Sequence, residues 1–210
     1  MTSLWGPLGW MTLHSVSMLY PEVPSQTDKE ILKRYMSSFR DSITCPHCEQ
    51  HFKVMFQNYT ASHPEWNSSR FQFFLFVVRA HNTVNRRLNK PRPATVQECL
   101  NMYYANTKFN SGLVYRNKYS EYLIRNWSRE MTGDGMMHLG ETRNLKRINE
   151  EYWNQKTDES TRTFDMSADV DTSIDETPST RNIMRSGGAL SVVPTKLTAI
   201  GLREGRFRLR

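Results

Sequence analysis

The stretch "TCPHCEQHF", residues 44–52, holds two thiols three positions apart, Cys45 and Cys48, with His51 three positions further on. Cysteines at this spacing close a readily exchanged disulfide, and a helix N-terminus favours the thiolate, which is the attacking species. That chemistry is dithiol redox exchange. The same residues admit other readings. Cys45, Cys48 and His51 can ligate zinc, but a structural site takes four ligands, and Cys99, His63 or His81 would have to supply the fourth without a partner motif. A thioredoxin-like enzyme can carry Cys-Pro-His-Cys, yet that fold needs a strand before the motif, where this sequence has an amphipathic helical pattern. Two buried thiols acting as small hydrophobes complete the set. A second group stands in "HNTVNRRLNK", residues 81–90, where His81, Asn82, Asn85 and two arginines interrupt an apolar run. On a helix His81, Asn85 and Leu88 share a face, with Asn82 on its flank. Packed against an apolar partner, each unsatisfied amide costs about 1 to 3 kcal/mol. A heterocycle with ribose and phosphates satisfies them instead, with Lys90 and Arg86 or Arg87 meeting the phosphates. Trp10 and His14, one turn apart, add two more planar rings.

Helices must position these groups. Trp10, His14 and Met18 follow Pro7 at i, i+4 and i+8, and Pro21 stops the element. Thr27 and Glu30 form a candidate capping box ahead of Ile31, Leu32, Tyr35, Met36 and Phe39 at helical spacing. Cys45 and Cys48 open a third helix whose buried side is Phe52, Met55, Phe56 and Tyr59. A fourth begins near Ser68, carries Phe71, Phe74, Leu75 and Val78, and ends at Pro91 and Pro93. Thr95 and Glu98 cap a short fifth with Leu100 and Tyr103. No period-two strand and no repeat is evident, so the expected fold is all-α, a four-helix bundle plus a short fifth helix. Tyr119 to Trp127 and Leu145 to Trp153 read as further helices, separated by a glycine loop, "TGDGMMHLG". The expected divisions are a bundle over 1–105, a helical extension over 106–155 and a disordered tail over 156–210, acidic and Ser/Thr-rich first, then basic.

Composition bounds the rest. A hydrophobic share of 38% is low for a chain folded throughout, and the net charge of +7 speaks of solubility and acidic partners rather than fold. The longest apolar run, Phe71 to Val78 broken by Gln72, is far short of the roughly 20 residues of a membrane span. The opening "MTSLWGPLGW" lacks the basic and apolar regions of a signal peptide, so a cytosol-like compartment is expected. Three cysteines exclude a disulfide scaffold. The closing "REGRFRLR" reads as a solvated basic terminus, with nucleic acid, acidic lipid or an acidic partner as alternative contacts.

"WGPLGWMTLH", "CPHCEQHF" and "HNTVNRRLNK", in this order and spacing, resemble the signature segments of the Erv/ALR family of FAD-linked sulfhydryl oxidases over roughly residues 4 to 105. The resemblance implies a helical bundle that holds FAD noncovalently, usually within a homodimer. It implies that Trp10 and His14 line the flavin site, that His51 lies near the cofactor, and that His81, Asn82, Val84, Asn85 and Lys90 hold its adenine, ribose and phosphates. Tyr103 falls where relatives often place a further aromatic against the adenine. The implied catalytic pair is Cys45, attacked by substrate, and Cys48, beside the flavin; electrons pass on to oxygen and give hydrogen peroxide. The implied substrates are protein dithiols, met directly or through a thioredoxin-like carrier. Three departures stand out. No second Cys-x-x-Cys occurs, Val78 replaces the cysteine that often staples the fourth helix to the fifth, and Leu-Asn-Lys replaces Leu-Gly-Lys. The domain thereby resembles the compact oxidases of large cytoplasmic DNA viruses, which implies host cytoplasm and virion ahead of the mitochondrial intermembrane space. Cys99 is expected to be an unpaired, buried residue. The competing expectation is a zinc-stabilised or redox-inactive interaction module whose basic tail reaches nucleic acid.

Overall fold

A computed structural model describes residues 2–130, 132–157 and 161–178. The basic terminus and its expected nucleic-acid contact lie outside them. Seven α-helices follow in order: α1 Thr2–Leu19, α2 Gln26–Asp41, α3 Pro46–Ser62, α4 Arg70–Arg87, α5 Val96–Thr107, α6 Gly112–Trp127 and α7 Gly133–Glu151, then a 3-10 turn, Trp153–Gln155. No strand occurs among the described residues, as the patterning predicts.

Local chemistry sets the helix starts. Ser25 caps α2 in a reciprocal box with Asp28: the Ser25 hydroxyl accepts from Asp28 N at 3.1 Å, and the Asp28 carboxylate accepts from Ser25 N at 2.8 Å. The box lies two residues ahead of the expected Thr27 and Glu30. Both choices satisfy the spacing, and the upstream pair closes because Ser25 has the extended backbone of a cap. Cys45 caps α3 with Pro46 in its first turn, Ser69 caps α4 and Thr95 caps α5.

Helix α1 is buried on nearly every side of its C-terminal half, from Thr12 through Leu19, and Tyr20 just beyond it is buried too. It packs against α4 and α6. Its serines are satisfied within the helix, Ser15 donating to the Thr12 carbonyl and Ser17 to that of His14. Residues of 106–155 share this core: Tyr119, Leu123, Trp127, Leu145, Ile148 and Trp153 join Leu13, Tyr20, Tyr35 and Phe39 in one cluster. Tyr119 and Trp127 are therefore buried within the chain. They gain from α1 and α2 of their own chain.

Two expectations are corrected. The segment "TGDGMMHLG" is not a loop, because all but its first residue belongs to α7. Thr132 accepts from Gly135 N at 3.1 Å and starts the helix, and His138 anchors it by stacking on Trp127 at 4.3 Å. Gly135 is required there: a Cβ would come within 2.6 Å of the Glu130 carbonyl oxygen. Burial against α2 and α6 thus overrides the helix cost of glycine, roughly 1 kcal/mol each.

The second correction concerns the tail. Residues 161–178, expected to be disordered, form an ordered strap along α4. Phe164 packs 5.1 Å from Phe71 and 4.9 Å from Phe74, and Val170 and Ile174 are also buried. Asp171 pairs with Arg86 at 2.9 Å and Arg92 at 2.8 Å, and Ile174 N donates to Thr83 Oγ1 at 2.9 Å. Asp165 and Asp175 accept from the backbone N–H groups two residues ahead, rigidifying the strap as Asx turns do. Three spaced apolar anchors and complementary charge suffice where average composition predicts disorder.

Helix α4 ends in a Schellman arrangement. Asn89 N donates to the Arg86 carbonyl at 3.1 Å and Lys90 N to that of Asn85 at 2.8 Å, with Asn89 at φ 52°. This explains why the Leu-Gly-Lys of the family pattern tolerates asparagine, which enters the left-handed region more readily than most residues. Asn89→Ala is expected to cost about 1 kcal/mol in chemical unfolding, and Asn89→Gly to be neutral or slightly stabilising.

Candidate functional site

Helix α3 begins at the redox pair. Cys45 and Cys48 are disulfide-bonded, their Cα atoms 5.2 Å apart. The Cys45 sulfur accepts from Cys48 N at 3.3 Å, so this sulfur occupies the anion-favouring end of the helix. Cys48 packs against the main core. Cys45 is not part of that apolar cluster, which fits it for the outer position.

The pair opens on a cavity of about 830 Å³, towards the upper end of the roughly 300 to 1,000 Å³ usual for ligand and cofactor sites. Of the expected residues, Trp10, Cys45, Cys48, His51, His81, Val84, Asn85 and Lys90 all line it. The other three are elsewhere. His14 stands behind the wall, its Nε2 3.0 Å from His81 Nδ1. Asn82 faces away: its amide donates to the carbonyls of Pro93 at 3.0 Å and Val170 at 2.9 Å, holding the strap and the turn after α4. Tyr103 is buried in the cluster between α4 and α5, and α5 offers Met102 and Asn106 to the cavity instead. The register of α5 could not be fixed from a segment without a motif.

Sequence reasoning missed the apolar wall of Trp5, Phe39, Ile43 and Phe52, and it missed His47. The helical spacing of Phe39 and Phe52 marked them as core, and a cavity at the end of a core is lined by core residues. His47 was visible as one of the two residues between the cysteines.

Electrostatics divides the lining. Trp10 stacks on His81, centroids 4.5 Å apart and planes within 8°. Burial pushes His81 down to about 3, with His14 and Lys90 adding, and burial pushes His14 down to about 4. Both imidazoles are therefore neutral at physiological pH. Arg86 and Arg87 are engaged by the strap, Arg86 with Asp171 and Arg87 with Glu176 at 3.2 Å. Lys90 has no ion pair, and the Asn85 carboxamide no hydrogen bond, among the described residues. Cys99 is a free, buried thiol that burial pushes up to about 12, and it shares an apolar cluster with Val78, so packing stands where the staple would be. No group of three or more His, Cys, Asp or Glu side chains is arranged to hold a metal among the described residues.

The fold and site define a class: an all-α bundle with a Cys-x-x-Cys disulfide at a helix N-terminus, facing a cavity walled by aromatic rings, imidazoles and a lysine that has no ion pair among the described residues. Residues 8–106 match the Erv1 / Alr family. An African swine fever virus FAD-linked sulfhydryl oxidase is 33% identical over 87 residues, 41% of this chain and 69% of its own length. An Invertebrate iridescent virus 3 protein is 37% identical over 92 residues, 43% of this chain, and the match spans 60% of that protein. A FAD-linked sulfhydryl oxidase of Arabidopsis thaliana is 33% identical over 85 residues, 40% of this chain and 42% of its own length. The chain belongs to the Erv1 / Alr family.

Proposed function

We propose that the protein is a FAD-linked sulfhydryl oxidase that forms disulfides in protein dithiols. The observation that carries this reading is the shared wall: both cysteines line the same cavity as Trp10, His81, Asn85 and Lys90. The donor set fits a flavin nucleotide. The indole and imidazoles offer flat faces to a ring system, Asn85 offers an uncommitted amide and Lys90 an uncommitted cation to ribose and phosphate. When bound, the flavin supplies a two-electron acceptor that oxygen reoxidises, giving hydrogen peroxide.

The chain's own residues perform the exchange. A substrate thiolate attacks Cys45 Sγ, the bond to Cys48 breaks, and Cys48 is left as the inner thiolate. A second substrate thiolate resolves the mixed disulfide and releases the Cys45 thiolate, which the N-terminus of α3 stabilises through the Cys48 N–H. Cys99, with its thiol held protonated, takes no part. No helix among the described residues is long and apolar enough to cross a membrane. We place the activity in a cytosol-like compartment, in keeping with the viral relatives, with substrates met directly or through a thioredoxin-like carrier.

Purified protein is expected to be yellow, with flavin absorption that bleaches on adding dithiothreitol without air and returns with oxygen. Colourless protein containing stoichiometric zinc would reverse the assignment in favour of the interaction module.

A further inference from the structure

A chain of polar groups runs from the mouth of the cavity into the strap. His47 and His51 lie one turn apart on α3, so both rings project from one face, their centroids 4.3 Å apart. Their Nε2 atoms are 3.0 Å apart. His51 Nδ1 lies 3.5 Å from Glu176 Oε1, and the same oxygen lies 3.2 Å from Arg87 Nη1. His47, His51 and Arg87 line the cavity together with both cysteines.

The Glu176 carboxylate faces His51 Nδ1 at 3.5 Å, too long for a hydrogen bond but close enough to favour the tautomer with its proton on Nδ1, which leaves Nε2 as an acceptor. In that arrangement His47 donates through its own Nε2. The free lone pair of His47 is then on Nδ1, the nitrogen nearer its own backbone, and His47 stands between the cysteines in sequence and lines the cavity with them. Arg87 holds Glu176 in place. The charged and titratable groups around the pair are Glu176 from the strap, Arg87, Lys90 and His81 from the α4 side, and Glu49 and Lys53 along α3. Burial and then Arg87 lower the affinity of His51 for a second proton, while Glu176 opposes them.

We propose that His47 is the base that removes the proton from an incoming substrate thiol, with His51 and Glu176 as positioning residues that keep its Nδ1 free and stabilise the imidazolium. The inference rests on Cys45 and Cys48 being the pair that accepts dithiols. It makes a segment outside the family match part of the working site.

In the first step the thiol proton goes to His47, the thiolate sulfur bonds to Cys45 Sγ, and the electron pair of the broken Cys45–Cys48 bond leaves on Cys48. His47 releases its proton to solvent. In the second step the partner thiol loses its proton to the same base and attacks the substrate sulfur, and Cys45 leaves as a thiolate. One dithiol and one protein disulfide become one substrate disulfide, two protein thiolates and two protons. The need for a base is plain, since an ordinary thiol of pKa near 8.5 is only about 3% ionised at neutral pH.

The test uses the oxidised full chain mixed anaerobically with dithiothreitol, acid-quenched, alkylated and weighed to follow reduction of Cys45–Cys48, across pH 6 to 9.5. His47→Ala is expected to slow reduction about 10- to 30-fold near pH 6.5 to 7, the deficit set by the thiolate fraction, and to converge with the unaltered protein above the thiol pKa. Added imidazole should restore part of the rate at neutral pH. Glu176→Gln should show a smaller loss, about threefold, with the same convergence. Equal rates at every pH, or a fold loss that does not change with pH, would overturn the relay. If the unaltered protein's disulfide is not reduced at all, it is the assignment of Cys45 and Cys48 that fails.

Discussion

Cys48→Ser is expected to lower peroxide formation with dithiothreitol by at least about 1,000-fold while leaving flavin bound, on the scale at which loss of a catalytic nucleophile acts. The two halves of this result have separate origins. Without Cys48 no disulfide exists for a substrate thiolate to break, so electrons have no entry, whatever the state of the cavity. The wall formed by Trp10, His81, Asn85 and Lys90 is untouched, because serine differs from cysteine at one atom. The hydroxyl does sit against apolar core, which costs on the order of 1 kcal/mol if unpaired, too little to unfold a domain of this size. The measurement is oxygen-electrode or peroxide turnover beside the flavin-to-protein ratio of the purified variant. Unaltered turnover would remove the proposed electron route, and loss of flavin together with turnover would show that the sulfur is structural.

The legibility of the fold followed local pattern. Ser, Thr or Cys caps and a 3.6-residue apolar rhythm placed α2 to α5, since the groups that start and bury these helices are neighbours in sequence; the rhythm alone placed the body of α1, which starts at Thr2, ahead of the first turn expected near Pro7. Helix α7 was half missed because its packing against α2 and α6, a tertiary fact, outweighs the helix cost of its glycines. The strap was missed for the same reason: Phe164, Val170 and Ile174 are too sparse to register as a pattern, and their partners lie some ninety residues earlier on α4. At the site, residue type identified eight of the eleven expected positions as cavity lining, but type does not give direction. Asn82 and Asn85 look alike in sequence. One faces the cavity; the other is consumed by the Pro93 and Val170 carbonyls, because the strap needed a donor there.

Acid should weaken this protein well before its carboxylates protonate. Dense surroundings, rather than complete loss of exposed surface, desolvate His14 and His81, which lie 3.0 Å apart nitrogen to nitrogen. In the unfolded chain each takes a proton as the pH falls through about 6.5, whereas in the fold burial delays this to about 4 for His14 and about 3 for His81. The unfolded state thus binds more protons across this window, and stability must fall with acid. The contribution is complete above about pH 6.5 and is lost at up to about 1.4 kcal/mol per pH unit for each histidine down to about pH 4. Over two units that is on the order of 5 kcal/mol, comparable with the whole stability of many domains. The strap carboxylates act lower: hydrogen bonds hold Asp169 and Asp171 below the usual range, so their contribution persists until the pH falls beneath about 4. Urea midpoints measured from pH 7.5 to 4 should therefore decline steadily from about 6.5, and His14→Gln, whose amide reaches about as far as Nε2 does, should roughly halve the slope. A midpoint constant between pH 7 and 4.5 would mean that the rings accept protons in the folded state. Neutrality would then not explain how His81 stacks on Trp10 without a counter-ion.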